Sequence, residues 1–270
     1  MLLPRVLTAL VGIPFLLFVI YLGGVPFGAL IVGMTMLALH EYATVLWMGG
    51  RGVQRVLVVL GGGAVAAAAA LGGTLPRADA LVPMTITAVV FAAMLRELLR
   101  KEHSLDRAAL TVFGAMFVGW TLGHLALLRE LRPDGRAWTF LLFAAVWTSD
   151  SAAYFTGMAI GKRRLAPVIS PKKSWEGLVG GVLGAFAAVF IARKTFMGAQ
   201  LPVPLAVGLS LLIGIGGQAS DLSQSLIKRA AGVKDSASLL PGHGGIFDRM
   251  DAFLLLAPAV YYLLLFTSAS

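Results

Sequence analysis

The chain has 270 residues, of which 58% are hydrophobic and 13% are charged, and its mean hydropathy is +0.86. Soluble domains are about 45–50% apolar and about 25% charged, so one globular core would not bury this apolar surplus. The composition therefore argues against a soluble enzyme, a disordered chain and a nucleic-acid-binding module. It predicts a polytopic membrane protein.

The net charge is +9, and the chain contains no cysteine. Without cysteine there can be no disulfide, no Cys-ligated zinc or iron–sulfur cluster and no thiol nucleophile. In a soluble protein this charge would suggest nucleic acid, but in a membrane protein basic residues flank the cytosolic ends of the spans. We therefore expect no nucleic-acid partner, and some of the basic groups remain candidates for binding phosphate.

Apolar runs of about 20 residues are typical of membrane helices. The sequence has nine, at residues 5–22, 24–47, 53–73, 80–100, 108–128, 138–160, 175–196, 201–225 and 249–268. They predict an all-α polytopic membrane protein with about nine transmembrane helices. We divide it into an N-terminal bundle of about five helices (1–128) and a C-terminal region of about four (129–270), which contains the polar loops 161–174 and 226–248.

The basic residues predict the orientation of the chain. With the N-terminus in the cytosol, 16 of the 22 Lys and Arg residues fall on the cytosolic side. Because cytosolic loops carry an excess of Lys and Arg, we expect the N-terminus and both long polar loops to be cytosolic.

Five acidic residues lie within or at the ends of the apolar runs: Glu41, Asp150, Asp221, Asp248 and Asp251. A carboxylate at the centre of a membrane helix costs about 2.5–3.5 kcal/mol, so each of them needs a polar environment. Four fall toward the cytosolic side, two of them at the start of the last span. Asp150 lies near the middle of its run, so it has to face a polar cavity, or its helix has to extend into the cytosol. Together the five predict one polar site that faces the cytosol.

The segments 148–177 and 221–251 contain most of the polar chemistry. Carboxylates without cysteine or clustered histidine suit Mg²⁺, which takes one or two carboxylates plus substrate phosphates. The lysines and arginines of these segments suit phosphoryl oxygens. Gly242, Gly244 and Gly245 would let backbone N–H groups approach an anion.

These features also have simpler explanations. The basic run 162–164 can be an ordinary positive-inside cluster, and so can the lysines at 172–173, although Ser-Pro before them and Ser-Trp-Glu-Gly after them form a specific turn. Glu176 can serve the first turn of a helix, where the helix dipole favours a carboxylate. His243 can be a plain loop histidine, but its glycine neighbours and its place five residues before Asp248 favour a site residue.

The segment from Ser225 to Asp251 resembles the signature of the phosphatidate cytidylyltransferases, also called CDP-diacylglycerol synthases. It reads S-x-x-K-R-x₄-K-D-x-A-x₂-L-P-x-H-G-G-I-x-D-R-M-D, which specifies about 16 of its 27 positions. Residues 149–177, with the run S-P-K-K-S-W-E-G, resemble a second block of that family, and residues 5–14 together with Glu41 resemble its N-terminal part. The resemblance covers essentially the whole chain.

The resemblance implies a reaction in phospholipid biosynthesis in which CTP and phosphatidic acid give CDP-diacylglycerol and pyrophosphate, with Mg²⁺ as the cofactor. Since the attacking group would be the phosphate of the lipid itself, the site needs charge neutralisation and positioning rather than a nucleophilic triad. The partners are then CTP, phosphatidic acid and the bilayer of the inner, cytoplasmic membrane of the cell, with 129–270 as the catalytic region. A second cation such as K⁺ and a homodimeric assembly are left open.

The resemblance also implies a set of site residues. The metal ligands would be Asp221 and Asp248, with Asp150 and Asp251 close by. The catalytic residues would be Asp221, Asp248, Lys228, Arg229 and His243. Substrate would be bound by Lys172, Lys173, Ser174, Ser225, Lys234, Asp235, Gly244, Gly245 and Arg249. One departure concerns Gln224, which stands where the family often has a glutamate and cannot supply a second carboxylate, so Asp221 gains weight as the metal ligand.

Three other functions remain as alternatives. An ion-coupled transporter would use the intramembrane acids, but it predicts them near mid-membrane, and four of the five lie toward one face. A phospholipid transferase that consumes CDP-lipid resembles a D-G-x₂-A-R block, which the sequence at 134–137 does not complete. A membrane lipid or polyprenol kinase would share the nucleotide and Mg²⁺, but it would transfer the γ-phosphate.

Overall fold

The computed structural model of the chain describes residues 3–72, 80–233 and 245–268, with side chains from Leu10 to Thr267 within these ranges. These residues are almost entirely helical. The elements in chain order are α1 Leu3–Leu22, α2 Gly24–Met48, α3 Arg55–Ala70, α4 Leu81–Leu98, α5 Leu105–Gly114, α6 Thr121–Glu130, α7 Gly135–Ile160, β1 Arg164–Ala166, β2 Ser170–Ser174, α8 Trp175–Ala192, α9 Val203–Ala230, α10 Ile246–Arg249 and α11 Phe253–Ser268. A π-helical turn, Ala115–Trp120, joins α5 to α6 without a break, and a second one, Arg193–Met197, extends α8.

Within the described residues, each of the nine predicted apolar runs corresponds to one long helical segment. Five of these segments are long and apolar enough to cross a membrane: Gly24–Met48, Leu81–Leu98, Leu105–Glu130, Trp175–Gln200 and Val203–Ala230. Three more are shorter apolar helices: Leu10–Leu22, Arg55–Ala70 and Phe253–Thr267. The chain is therefore a predominantly helical, multi-pass membrane protein.

The segment 161–174 is not the plain loop that the sequence predicts. It forms an antiparallel hairpin in which Arg164 pairs with Ser174 and Ala166 pairs with Ser170. The predicted all-α class holds for the described part of the chain, with one small two-stranded sheet in addition.

The last predicted span, 249–268, begins too early. The short helix α10 ends at Arg249, and α11 begins only at Phe253. Between them, the carboxylate of Asp251 accepts the backbone N–H of Ala252 at 2.7 Å. This local hydrogen bond offers the backbone an alternative to continuous helix, so Asp251 lies in a turn.

The chain separates into two compact units. The first combines residues 1–130 with 227–250, and the second combines residues 131–226 with 251–270. Helix α9 therefore contributes its last residues to the first unit and the rest to the second. The division of the sequence after residue 128 stays a prediction.

In the first unit, α3 packs against α2, α4, α6 and the π-helical turn. The approach is closest at two glycines, because a Cβ on Gly119 would lie 2.5 Å from the carbonyl oxygen of Gly62. Small residues at such contacts let membrane helices pack backbone to backbone. Val65, Val89 and Ala115 form a buried apolar cluster at this contact.

A buried polar cluster ties together the start of α3, the end of α4 and the start of α5. The guanidinium of Arg107 donates to both oxygens of Glu97, at 2.7 and 2.6 Å. Gln54 Nε2 donates to the same carboxylate at 2.7 Å, and the backbone N–H of Ser104 does so at 3.2 Å. Glu97 is thus satisfied by structural partners, as a buried charge requires.

In the second unit, α7 packs along α8. Ser149 on α7 donates a hydrogen bond to the carbonyl oxygen of Gly181 on α8 at 3.0 Å, and a Cβ on Gly181 would lie 3.2 Å from the Cβ of Ala153. The ring of Phe143 on α7 also contacts that of Phe253 at the start of α11, with 4.6 Å between ring centroids. Along α7, Asp150 therefore lies between Phe143, which contacts α11, and Ala153, which contacts α8.

Candidate active site

Three aspartates of the second unit lie together: Asp150 on α7, Asp221 on α9 and Asp251 in the turn before α11. They are near enough for their negative charges to act on one another. Lys173, on β2, forms an ion pair with Asp221, with 2.6 Å between Nζ and Oδ2. We call these four residues the Asp–Lys cluster.

Two serines of α9 support the Asp–Lys cluster. The hydroxyl of Ser220 donates to the carbonyl oxygen of Asp251 and accepts the N–H of Leu255 at 2.9 Å. The hydroxyl of Ser225 donates to Oδ1 of Asp221 at 3.3 Å. Ser220 thereby fixes the turn before α11 to α9, which brings Asp251 beside Asp221.

The hairpin that carries Lys173 is held at its base by Glu176. This carboxylate lies in the first turn of α8, as expected, and it accepts the backbone N–H groups of Lys162 and Arg163 at 3.1 and 3.2 Å. Ser174 caps α8, because its hydroxyl accepts a backbone N–H of the first turn at 3.1 Å. A cap and a carboxylate at a helix N-terminus are both stabilising, so the two lysines before Ser174 stand on a fixed support.

A cavity of about 610 Å³ lies beside the Asp–Lys cluster. Its polar lining includes Asp150, Asp221, Arg164, Ser170, Lys172, Lys173 and Gln218, and its apolar lining includes Tyr154, Met158 and Leu178. Arginine and lysine favour phosphoryl oxygens, and pockets with a few polar groups on an apolar wall orient small ligands. The cavity thus suits an amphiphile with a phosphate headgroup.

The first unit contains a second charged pair. Lys228, near the end of α9, donates to Oδ1 of Asp248 on α10 at 2.7 Å, and both side chains are largely buried. Arg229 donates to the carbonyl oxygen of Val233 at 3.1 Å. We call Lys228 and Asp248 the α9–α10 pair.

The predicted site residues are distributed over the two units. The second unit contains Asp150, Lys172, Lys173, Ser174, Asp221, Ser225 and Asp251. The first contains Lys228, Arg229, Gly245, Asp248 and Arg249. Four further predicted residues lie outside the described part of the chain: Lys234, Asp235, His243 and Gly244.

The Asp–Lys cluster has three carboxylates and one ammonium group. Partial burial, together with the negative charges of Asp221 and Asp150, raises the pKa of the Asp251 carboxyl above its usual range, and Lys173 opposes this shift. Excess negative charge of this kind is what a bound cation relieves.

The donor set can be compared with the needs of Mg²⁺. Within the described ranges, no three Asp, Glu or His side chains are placed to hold a metal ion by themselves. Mg²⁺ is usually bound through one or two carboxylates, with substrate phosphates and water as the other ligands. One or two carboxylates of the Asp–Lys cluster therefore fit a Mg²⁺ shared between protein and phosphate, rather than one enclosed by protein.

Sequence reasoning missed several contributors to this region. Arg164 was assigned to a general basic run, yet it lines the cavity together with Gln218 and Tyr154. Ser220 begins the polar run 220–225 of α9, and nothing in the sequence distinguishes it from Ser223 in the same run. Glu41 is one of the five acids that the sequence groups into one polar site, but the sequence gives it no role of its own.

The helices and the Asp–Lys cluster define a helical membrane protein with a polar site suited to phosphate and a divalent cation. Comparison with known proteins identifies the particular family. The sequence profile described as "Cytidylyltransferase family" matches residues 3–267. The chain belongs to this family, and it is accordingly a nucleotidyltransferase.

The relatives agree with that assignment. The phosphatidate cytidylyltransferase of Bacillus subtilis (strain 168) is 33% identical over 270 residues, covering 96% of each chain. That of Brucella suis biovar 1 (strain 1330) is 42% identical over 149 residues, covering 55% of this chain and 54% of its own. That of Staphylococcus aureus (strain COL) is 37% identical over 166 residues, covering 62% of each. The resemblance drawn from Ser225–Asp251 is thereby confirmed.

Proposed function

We propose that the chain is a phosphatidate cytidylyltransferase that converts CTP and phosphatidic acid into CDP-diacylglycerol and pyrophosphate. An oxygen of the lipid phosphate forms a bond to the α-phosphorus of CTP, and the bond from that phosphorus to the β-phosphate oxygen breaks. The lipid phosphate is already anionic near neutral pH, so the reaction needs no strong general base. The protein has to hold two polyanions together and neutralise their charge.

The observation that carries the proposal is the Asp–Lys cluster beside a cavity whose lining includes both charged and apolar side chains. Lys172, Lys173 and Arg164 supply cations for phosphoryl oxygens. Tyr154 and Met158, both exposed at the cavity, offer apolar surface to the first carbons of acyl chains. A phosphate ion alone would not require this apolar lining.

Mg²⁺ belongs to the proposal as the cofactor. Asp221 and Asp251 are the ligands that we assign to it in the second unit, with Asp150 close by. Asp248, in the first unit, stays a ligand predicted from the sequence. When bound, Mg²⁺ supplies positive charge to the substrate phosphates. The Lys173 ammonium pairs with the Asp221 carboxylate, with 2.6 Å between Nζ and Oδ2. A cation bound to Asp221 would release Lys173 to bind a phosphate.

The topology is also part of the proposal. We infer nine membrane spans, a cytosolic N-terminus and a cytosolic site in the inner membrane, because the cytosolic assignment collects 16 of the 22 basic residues. CTP is a cytosolic solute, and phosphatidic acid lies in the bilayer, so a site at the cytosolic face reaches both. A homodimer is one assembly compatible with this arrangement.

The proposal can be tested by measuring pyrophosphate release from CTP by the purified protein in detergent. Release is expected only when phosphatidic acid and Mg²⁺ are both present, and EDTA should stop it. The matched control replaces phosphatidic acid by diacylglycerol, which has the same apolar body and no phosphate. Release that is independent of phosphatidic acid, or equal with diacylglycerol, would overturn the proposal.

A further inference from the structure

Helix α2 contains a buried carboxylate with an unusual set of partners. Glu41 is fully buried, and its two oxygens accept the backbone N–H groups of Ile246 and Phe247 at 2.9 and 2.8 Å. Those two residues form the first turn of α10, whose N–H groups have no partner inside the helix. A glutamate in a membrane-spanning helix therefore satisfies backbone donors of a segment more than 200 residues away in the sequence.

A carboxylate at position 41 would be energetically unfavourable without these two hydrogen bonds. A charged side chain within a membrane helix is unfavourable, and an apolar residue would fit α2 equally well if α2 only had to pack. Hydrogen bonds from N–H groups to a carboxylate are among the strong ones. The two bonds to α10 thus compensate for a charge that α2 itself does not need.

Neighbouring contacts extend the attachment between α2 and this segment. The ring of Tyr42 lies edge-on to that of Phe247, with 6.3 Å between centroids, and both side chains are fully buried. Tyr42 is in turn fixed by its hydroxyl, which donates to the carbonyl oxygen of Leu110 at 2.9 Å. At the end of α2, Gly49 is so close to the backbone of Ala231 that a Cβ would not fit. Helix α2 therefore contacts the chain on both sides of residues 234–244.

Asp248 lies one residue beyond the turn that Glu41 binds. It forms the α9–α10 pair with Lys228, with 2.7 Å between Nζ and Oδ1. Since α10 has only four residues, Ile246–Arg249, its own hydrogen bonds do little to fix its orientation. The direction of the Asp248 carboxylate then depends on what holds Ile246 and Phe247 as well as on the ion pair with Lys228.

We infer that Glu41 is a positioning residue: it fixes the first turn of α10 and so sets the orientation of Asp248 for catalysis. The inference rests on the proposed function and on the sequence prediction that Asp248 binds the metal. It predicts that Glu41 affects turnover through α10 without touching either substrate.

The test compares Glu41→Gln with Glu97→Gln in the full-length protein. Glutamine keeps the size of the side chain, but it loses the charge and turns an NH₂ group toward one of the two backbone donors. Glu97 is the matched control, since it is also a buried carboxylate of the first unit but is bound to Arg107. Two quantities are measured for each variant: hydrogen exchange of the amides of Ile246 and Phe247, and kcat per folded molecule with the KM for CTP.

Glu41→Gln is expected to speed exchange of these two amides by roughly tenfold or more, as expected for loss of a hydrogen bond to a charged group. It should lower kcat at least tenfold, because the Asp248 carboxylate is misaligned. The KM for CTP should change less than about twofold, because no substrate-binding residue is removed. Glu97→Gln should lower the melting temperature and leave both the exchange at 246–247 and kcat close to wild type.

Three results would overturn the inference. They are unprotected amides at 246–247 in the wild-type protein, unchanged kcat in Glu41→Gln, and an equal loss of kcat in Glu97→Gln. If Glu41→Gln does not fold, Glu41→Asp, which keeps the charge but is one methylene shorter, is measured instead with the same expected directions. Failure of the proposed function is distinguishable, because wild type would then make no CDP-diacylglycerol, while the exchange at 246–247 would still depend on Glu41.

Discussion

At the scale of single residues, two carboxylates that the sequence predicts as metal ligands are paired with lysines: Asp221 with Lys173 in the second unit, and Asp248 with Lys228 in the first. Each pair places one group suited to a metal beside one suited to phosphate. In such a pair, removing one partner leaves the other uncompensated. A substitution at either member therefore also perturbs its partner, so each kinetic effect is measured together with a check on folding.

Asp221→Asn is expected to lower kcat by at least about 100-fold while the protein stays folded and inserted. Asparagine keeps the shape and one acceptor oxygen but loses the charge that would bind Mg²⁺ and pair with Lys173. The measurement is kcat under saturating CTP, phosphatidic acid and Mg²⁺, with the melting temperature as a check on folding. Asp106→Asn, at an exposed aspartate in the first turn of α5, serves as the control and should stay near wild type. If Asp221→Asn keeps more than a tenth of the wild-type rate, Asp221 is not a metal ligand.

Lys173→Ala is expected to raise the KM for a phosphate-containing substrate by roughly tenfold, with a smaller change in kcat, because it removes a cation that binds ground state and transition state alike. Initial rates over a range of CTP and phosphatidic acid concentrations would give both constants. Lys162→Ala, in the basic run before the hairpin, is the comparison. Unchanged kinetics in Lys173→Ala would show that this lysine does not bind substrate and is only one of the basic residues that flank the cytosolic ends of the spans.

At the scale of secondary-structure elements, the packing of the first unit depends on the backbone contact between α3 and the π-helical turn. Gly119→Ala places a methyl group 2.5 Å from the carbonyl oxygen of Gly62. Overpacking of this kind costs about 1–3 kcal/mol, so the melting temperature in detergent should fall by several degrees. Gly208→Ala is the control, because a Cβ there meets nothing within 4 Å and alanine is the better helix former. Equal melting temperatures for the two variants would contradict this account of the packing.

The helices could be predicted from the sequence because each apolar run is long and bounded by loops or glycines. Their ends were less predictable, and the start of α11 shows why. The run 249–268 looks continuous, but the Asp251 carboxylate bonds to the backbone and interrupts it. The hairpin Arg164–Ser174 was missed for a similar reason, since two strands of three and five residues have no periodicity to detect.

The candidate site was partly predictable. Acids in apolar runs stand out by their cost, so the sequence groups five of them. The structure brings Asp150, Asp221 and Asp251 together in the second unit, whereas Glu41 and Asp248 belong to the first. Their partners could not be predicted, because no spacing in the chain indicates that a strand residue such as Lys173 meets α9. The contact from Glu41 to α10 joins positions more than 200 residues apart, and a single sequence contains no signal for it.

At the scale of the whole molecule, the proposed topology can be tested directly because the natural chain has no cysteine. Arg100→Cys lies between α4 and α5, on the proposed cytosolic side, and Gln200→Cys lies before α9, on the opposite side; both positions are exposed. A membrane-impermeant maleimide applied to intact cells should label Gln200→Cys at once and Arg100→Cys only after permeabilisation. The reverse pattern would invert the orientation and place the Asp–Lys cluster on the wrong face for cytosolic CTP.

Transfer of the cytidylyl group of CTP to a lipid phosphate can be followed with labelled nucleotide. The purified protein is supplied with phosphatidic acid, Mg²⁺ and CTP labelled either at the α- or at the γ-phosphate, and the label in the extracted lipid is counted. Label is expected in the lipid from α-labelled CTP only, with one pyrophosphate released per lipid labelled. Label from γ-labelled CTP would instead show a lipid kinase, and folded protein that labels no lipid with either nucleotide would rule out cytidylyl transfer.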